Sequence, residues 1–127
     1  MEPIFLTLDD LLELHEDQIS RYGGAPGLRS LEALDSAVAQ PKASFDGESL
    51  HRDIFDMAAA YLFHIVQNHP FVDGNKRAGT AAALTFLDLN EIEVDIGTEE
   101  LVNLVLEVAQ GRMQRDEIAQ AFRQHAA

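Results

Sequence analysis

The sequence contains no cysteine and no tryptophan, and its cations are few: nine lysines and arginines stand against 22 aspartates and glutamates. Without cysteine the chain can form neither disulfides nor thiolate metal sites. The formal net charge of −13 argues against direct nucleic-acid binding, because affinity for duplexes depends largely on neutralising phosphates with cations. We therefore expect no direct contact with DNA or RNA.

Long apolar runs are also missing. The longest uncharged stretch, residues 57–72, is interrupted by histidine, glutamine, asparagine and proline, so we expect no membrane span and no membrane partner. The first residues lack the basic segment of a signal peptide, and we expect a cytoplasmic protein. A length of 127 residues with 46% hydrophobic content predicts a single domain over residues 1–127.

Apolar residues recur at helical spacing along most of the chain, which predicts an all-α fold. We expect a compact helical bundle with a short hairpin and at most minor strand content. The predicted helices begin after Thr7, after Ser30, at Ser49, near residue 75, after Thr98 and near residue 114. The Asp46-Gly47 pair predicts a hairpin-like turn within residues 41–48, and residues 91–96 fit either a short strand or an extended link.

The chemically informative residues are concentrated at positions 69–77, His-Pro-Phe-Val-Asp-Gly-Asn-Lys-Arg, between two strongly apolar predicted helices. Gly74 permits a positive φ or the close approach of a ligand. Because a helix begins directly after it, free backbone N–H groups and the positive end of the helix dipole point at the loop. Asn75, Lys76 and Arg77 add donors and charge at that helix start. The pattern predicts a phosphate site.

Two further residues of this segment suit a reaction on that phosphate. Asp73 would repel a phosphate directly, but its carboxylate suits a Mg²⁺ ion that bridges to phosphates. His69 suits a general base for a serine, threonine or tyrosine hydroxyl, and Phe71 suits an apolar anchor for the loop. Each residue alone also has a structural explanation, such as a helix C-cap for His69, but the ordered set favours a catalytic site.

Residues outside this segment are weaker candidates. His15 and His64 lie on apolar helix faces and are expected to be core or near-core histidines rather than ligands. Arg29 follows a glycine-rich loop and suits either a contact with a ligand or partner or a surface position.

Residues 69–77 resemble the signature of the Fic/Doc family, His-x-Phe-x-Asp/Glu-Gly-Asn-x-Arg, and the form with Lys76 resembles its death-on-curing (Doc) branch. The resemblance extends to residues 5–8, 15–19, 22–24, 27–29 and 40–41, and so covers most of the chain. It implies a Fic-like helical bundle that uses ATP and Mg²⁺. It also implies His69 as the base, Asp73 as the metal ligand, and a phosphate cradle made of Gly74, Asn75, Lys76 and Arg77.

The resemblance further implies the toxin of a toxin–antitoxin pair, which transfers the γ-phosphate of ATP to a hydroxyl. In the family that hydroxyl is a threonine of translation elongation factor Tu, and its modification arrests translation. Adenylylating Fic proteins usually have Gly at the position of Lys76 and often Arg at the position of Thr80, which favours a kinase here. An AMP transferase and a non-catalytic partner-binding module remain the alternatives.

Two partner surfaces are implied by the same resemblance. A cognate antitoxin would place its C-terminal segment, folded as a helix, in a groove of the chain. Residues 41–48 would correspond to a flap that aligns the target peptide, by adding a strand to it.

Overall fold

The computed structural model describes residues 2–127, apart from the side chain of Phe45. This part of the chain forms six α-helices: α1 Leu8–Tyr22, α2 Leu31–Ala39, α3 Ile54–Asn68, α4 Asn75–Leu89, α5 Thr98–Ala109 and α6 Arg115–Gln124. A 3₁₀ turn, Gln40–Lys42, follows α2, and a small antiparallel hairpin pairs β1 Ser44–Phe45 with β2 Glu48–Ser49. The predicted all-α class with minor strand content is confirmed.

Side-chain caps set the beginnings of the first two helices where the sequence predicted them. Thr7 Oγ1 accepts a hydrogen bond from the Asp10 backbone N–H at 3.1 Å, and the Asp10 carboxylate accepts one from the Thr7 N–H at 2.8 Å. Ser30 Oγ accepts from the Ala33 N–H at 3.1 Å in the same manner. Such caps satisfy backbone donors that have no partner inside the helix.

The predicted start of α3 at Ser49 is wrong. Ser49 belongs to β2, and α3 begins after Asp53, whose carboxylate accepts hydrogen bonds from the backbone N–H groups of Phe55 and Asp56. Asp53 therefore satisfies two of the free N–H groups at the start of α3, whereas Ser49 is engaged in the hairpin. The turn predicted at Asp46-Gly47 is confirmed, and both of its residues have the positive φ that a tight hairpin requires.

Helix α3 is the centre of the bundle. It packs most extensively on α4, and α2, α5 and α6 surround it. The contact with α4 is close because Gly79 has no side chain: a Cβ there would lie 3.1 Å from Val66 Cγ2 and 3.2 Å from the Leu62 carbonyl oxygen. The largest buried side chains include Tyr61, Phe86 and Phe122.

The two ends of the described chain are attached to this bundle. The Tyr61 hydroxyl accepts a hydrogen bond from the Leu6 backbone N–H at 2.9 Å, which ties the N-terminal segment to α3. Of residues 91–96, Glu91 lies in the turn after α4 with a positive φ of 63°, and the rest form a link in which Val94 makes a single antiparallel bridge with Ala126. No helix within residues 2–127 is both long enough and apolar enough to cross a membrane.

Candidate active site

The loop between α3 and α4 forms a cleft at one end of the two central helices. Helix α3 ends at Asn68, and His69 is its C-cap: it adopts the left-handed conformation (φ 51°, ψ 55°) and donates its backbone N–H to the Ile65 carbonyl. Helix α4 begins at Asn75, only six residues after His69. A cleft of about 450 Å³ opens there and is lined by all six site residues that the sequence predicted: His69, Asp73, Gly74, Asn75, Lys76 and Arg77.

The beginning of α4 presents free donors to this cleft. Gly74 is the N-cap and has a positive φ of 78°, with no side chain capping the helix. Within residues 2–127 the backbone N–H groups of Asn75, Lys76 and Arg77 have no hydrogen-bond acceptor. Three free N–H groups at the positive end of a helix form an anion site. Lys76 is exposed and Arg77 is half-buried beside them.

The side chain of Asn75 lies inside the loop. It is 5% exposed, its Oδ1 accepts a hydrogen bond from the Phe71 N–H at 2.9 Å, and its Nδ2 donates to the Phe71 carbonyl at 3.0 Å. The sequence predicted Asn75 as a further phosphate donor. In the structure the side-chain amide closes the loop, and the backbone N–H of Asn75 is the group available to an anion.

The carboxylate of Asp73 is fixed by two backbone groups. Its Oδ2 accepts a hydrogen bond from the Ala25 N–H at 3.0 Å, and its Oδ1 accepts one from the Gly74 N–H at 2.8 Å. These bonds, with smaller contributions from the charges of Arg77 and His15, hold the pKa of the Asp73 carboxyl below its ordinary value. The group is therefore an anion at neutral pH.

The geometry at Asp73 fits a hard cation that is shared with phosphates. Each carboxylate oxygen that accepts one hydrogen bond keeps a further lone pair. Within residues 2–127 no three histidine, aspartate or glutamate side chains cluster as a complete metal site. A single carboxylate that shares the ion with water and phosphate oxygens is typical of Mg²⁺.

Helix α1 supports the loop through His15, which the sequence predicts as a core or near-core histidine and not as part of the site. His15 is 5% exposed, and its ring stacks on Phe71 at a centroid distance of 3.7 Å and an angle of 3°. Its Nε2 lies 2.7 Å from the Asp73 carbonyl oxygen and donates a hydrogen bond to it. Phe71 is 1% exposed, which confirms its predicted role as the anchor of the loop.

The glycine-rich segment after α1 runs along the other side of the loop. The Val72 N–H donates to the Gly27 carbonyl at 3.0 Å. A Cβ on Gly24 would lie 2.8 Å from Asp73 Oδ2 and 2.9 Å from Arg77 Nη2, so only glycine permits this approach. Helical periodicity ends before this segment, and the sequence therefore predicted only a loop here, without its contacts.

Residues 5–87, which include the glycine-rich segment, α3 and all six predicted site residues of the cleft, match the model of the Fic/DOC family. The chain belongs to the Fic/DOC family. This Fic/DOC chain is 39% identical over 100 residues to Toxin Doc of Mycolicibacterium smegmatis, a match that covers 77% of each chain. It is 32% identical over 118 residues to Protein kinase doc of Escherichia phage P1, covering 93% of this chain and 92% of that protein.

These relatives confirm the resemblance to the Doc branch that residues 69–77 indicated. The Fic/DOC chain has a second concavity beside the cleft, a groove of about 460 Å³ between α4 and α5. Its walls are mainly apolar, with Leu84, Leu101 and Val105 among them, and Lys76 and Arg77 line both the groove and the cleft. An occupant of the groove would therefore touch two residues of the predicted phosphate site.

Proposed function

We propose that this Fic/DOC chain is the toxin of a toxin–antitoxin pair and acts as a protein kinase. It transfers the γ-phosphate of ATP to a threonine hydroxyl of translation elongation factor Tu and so arrests translation. The observation that carries this proposal is the shared cleft of His69, Asp73 and the free N–H groups of α4. The names of the two relatives, Toxin Doc and Protein kinase doc, agree with it.

The triphosphate binds at the beginning of α4. The free N–H groups of residues 75–77 donate to phosphate oxygens, Lys76 supplies a point charge, and Arg77 supplies a planar fork. Arg77 is held in position because its Nη1 donates to the Gln18 carbonyl at 3.3 Å. Asp73 is the residue that would hold Mg²⁺, and the ion would supply positive charge against the charge that develops on the phosphates. The hydrogen bonds from the backbone N–H groups of Ala25 and Gly74 keep the Asp73 carboxylate ionised and hold it in place for that ion.

In the transfer step His69 acts as the general base for the target hydroxyl. The imidazole accepts the proton of the target hydroxyl while the hydroxyl oxygen forms a bond to the γ-phosphorus. The bond between the γ-phosphorus and the oxygen that bridges to the β-phosphate breaks, and ADP leaves with that bonding electron pair. The products are a phosphorylated hydroxyl, ADP and a protonated His69, which returns its proton to water.

Two residues of α4 favour phosphoryl transfer over AMP transfer. Lys76 stands where adenylylating relatives usually have glycine, and its side chain occupies space beside the free N–H groups. Thr80 stands where they often have a second arginine, and its Oγ1 donates a hydrogen bond to the Lys76 carbonyl at 2.7 Å. Thr80 is therefore bonded within its own helix and supplies no cation to an α-phosphate.

The antitoxin of the pair occupies the groove between α4 and α5. An apolar groove of this kind accepts one face of an amphipathic helix. Because Lys76 and Arg77 line both concavities, a helix in the groove would reach the phosphate site and compete with the nucleotide. Val102, which is 52% exposed on the groove wall, provides the test: Val102→Asp should weaken antitoxin binding and leave phosphoryl transfer intact.

The activity is tested by the mass of the target. Purified chain is incubated with elongation factor Tu, Mg²⁺ and ATP, and the target is measured by intact mass spectrometry and peptide mapping. A gain of one phosphoryl group on a threonine, absent when EDTA removes Mg²⁺, is the expected result. A gain of one AMP would instead establish the adenylylating alternative. No gain, with ATP bound, would refute this target.

A further inference from the structure

The side chain of Arg29 is bound to the end of α3 at the proposed base. Its Nε donates a hydrogen bond to the His69 carbonyl at 2.5 Å, and its Nη2 donates to the Asn68 carbonyl at 2.9 Å. These carbonyls belong to the last turn of a helix, where no partner exists inside the helix. A cation at the C-terminus of a helix is also favoured by the helix dipole. Arg29 is thus a C-terminal cap supplied by another segment.

Backbone groups of the same segment bind the next carbonyl along the chain, that of Pro70. The N–H groups of Arg29 and Ser30 both donate to the Pro70 carbonyl, at 2.7 Å and 2.9 Å. The carbonyls of residues 68, 69 and 70 are therefore all held by residues 29–30. Arg29 contributes three of these four hydrogen bonds, and its guanidinium alone reaches the His69 carbonyl.

The backbone at His69 needs such support. His69 adopts the left-handed backbone conformation, with φ 51°, which residues other than glycine rarely adopt. Within residues 2–127 no hydrogen bond is made by the imidazole itself, which is exposed to the cleft. The left-handed backbone therefore sets the direction of the Cα–Cβ bond that carries the imidazole, and the bond from Arg29 holds the carbonyl of that same residue.

We propose that Arg29 is a positioning residue for the base: its guanidinium holds the left-handed His69 so that the imidazole faces the target hydroxyl. This inference rests on the proposed function, because it gives His69 the task of accepting that proton. Arg29 touches neither the free N–H groups of α4 nor the Asp73 carboxylate within hydrogen-bond distance. Its loss should therefore affect the transfer step and not the binding of ATP.

The guanidinium is suited to this task by its shape. One planar fork places two N–H donors on two neighbouring carbonyls at once. A lysine at this position keeps the charge, but its single ammonium cannot reproduce the paired geometry. Arg29→Lys and Arg29→Ala therefore separate the contribution of charge from that of the fork.

The kinetic test compares these variants with a matched control. A small displacement of a catalytic group can lower the rate of the chemical step by about 100-fold, so Arg29→Ala should lower kcat by that order with an unchanged KM for ATP. Arg29→Lys should retain an intermediate kcat. The control is Arg112→Ala, because Arg112 is paired with Glu107 at 3.6 Å and neither residue lines the cleft. It should match the wild type.

The second readout does not depend on activity. The chain has five histidines, so the ring C–H signals in NMR spectra can be assigned one by one. In Arg29→Lys and Arg29→Ala the His69 signal should shift or broaden, while those of His51, His64 and His125 stay in place. The melting temperature of Arg29→Lys should remain near that of the wild type, which separates the local change from unfolding.

Either unchanged readout overturns the inference. An unaltered kcat in a folded Arg29→Ala chain, or a rise in the KM for ATP that accounts for the loss, would show that Arg29 does not position the base. An unaltered His69 signal would do the same. If the wild-type chain transfers no phosphate to elongation factor Tu, the proposed function fails at that target, and the NMR comparison still decides whether Arg29 orients His69.

Discussion

Replacing Asn75 with alanine should destabilise the fold far more than the removal of a surface asparagine. Asn75→Ala leaves the Phe71 N–H and carbonyl without their partners, in a position where Phe71 is 1% exposed and water cannot replace the amide. A buried polar group without a partner costs about 1–3 kcal/mol. The two groups together should lower the free energy of unfolding by roughly 2–6 kcal/mol.

That loss is large enough to measure directly. In a domain of this size it corresponds to a fall in melting temperature of roughly 10–20 °C, read by calorimetry, with urea unfolding as a second measure of the free energy. The matched control is Asn103→Ala on the exposed face of α5, which should be neutral or slightly stabilising because alanine is the better helix former. A wild-type melting temperature in Asn75→Ala, together with lost ATP binding, would show that the amide serves the phosphates and would refute this account of the loop.

Two further predictions concern the Asp73 carboxylate and acid stability. Gly24→Ala should weaken the binding of Mg²⁺-ATP about tenfold or more, as measured by calorimetric titration. The new Cβ would lie 2.8 Å from Asp73 Oδ2 and would displace the carboxylate that is proposed to hold the metal. The control is Gly97→Ala, whose Cβ would meet nothing within 4 Å and which should bind normally. Burial alone would raise the pKa of Asp56, but hydrogen bonds, chiefly from Arg52, lower it to about 2. Because this folded-state pKa lies below the unfolded value of 3.8, ionised Asp56 stabilises the fold above about pH 4, and the contribution is lost towards pH 2. Asp56→Asn should therefore flatten the fall of unfolding free energy over that range, and an unchanged slope would contradict the assignment.

Much of the fold followed from local sequence signals. Thr7 and Ser30 cap their helices as expected, because a cap depends on a few neighbouring residues. The start of α3 was predicted too early, at Ser49, because the competing cap at Asp53 also accepts two hydrogen bonds from Arg123. Arg123 lies 70 residues away, and no local pattern reveals that contact.

In the candidate site too, the local features could be predicted from the sequence and the long-range contacts could not. The order of residues 69–77 was sufficient to predict that six of them meet in one cleft, because they are adjacent in sequence. It could not show that the Asn75 amide turns inward or that His15 and Ala25 reach Asp73 from more than 45 residues away. The function of Arg29 was left open for the same reason, since its partners are 39 and 40 residues distant.

The most direct test of the central claim follows the labelled phosphate in wild-type and His69→Ala chains. Each is incubated with elongation factor Tu, Mg²⁺ and ATP labelled at either the γ- or the α-phosphate. We expect the wild-type chain to transfer only the γ-label, and His69→Ala, folded and still able to bind Mg²⁺-ATP, to transfer none. Transfer of the α-label by the wild type, or undiminished γ-transfer by His69→Ala, would contradict a kinase in which His69 is the base.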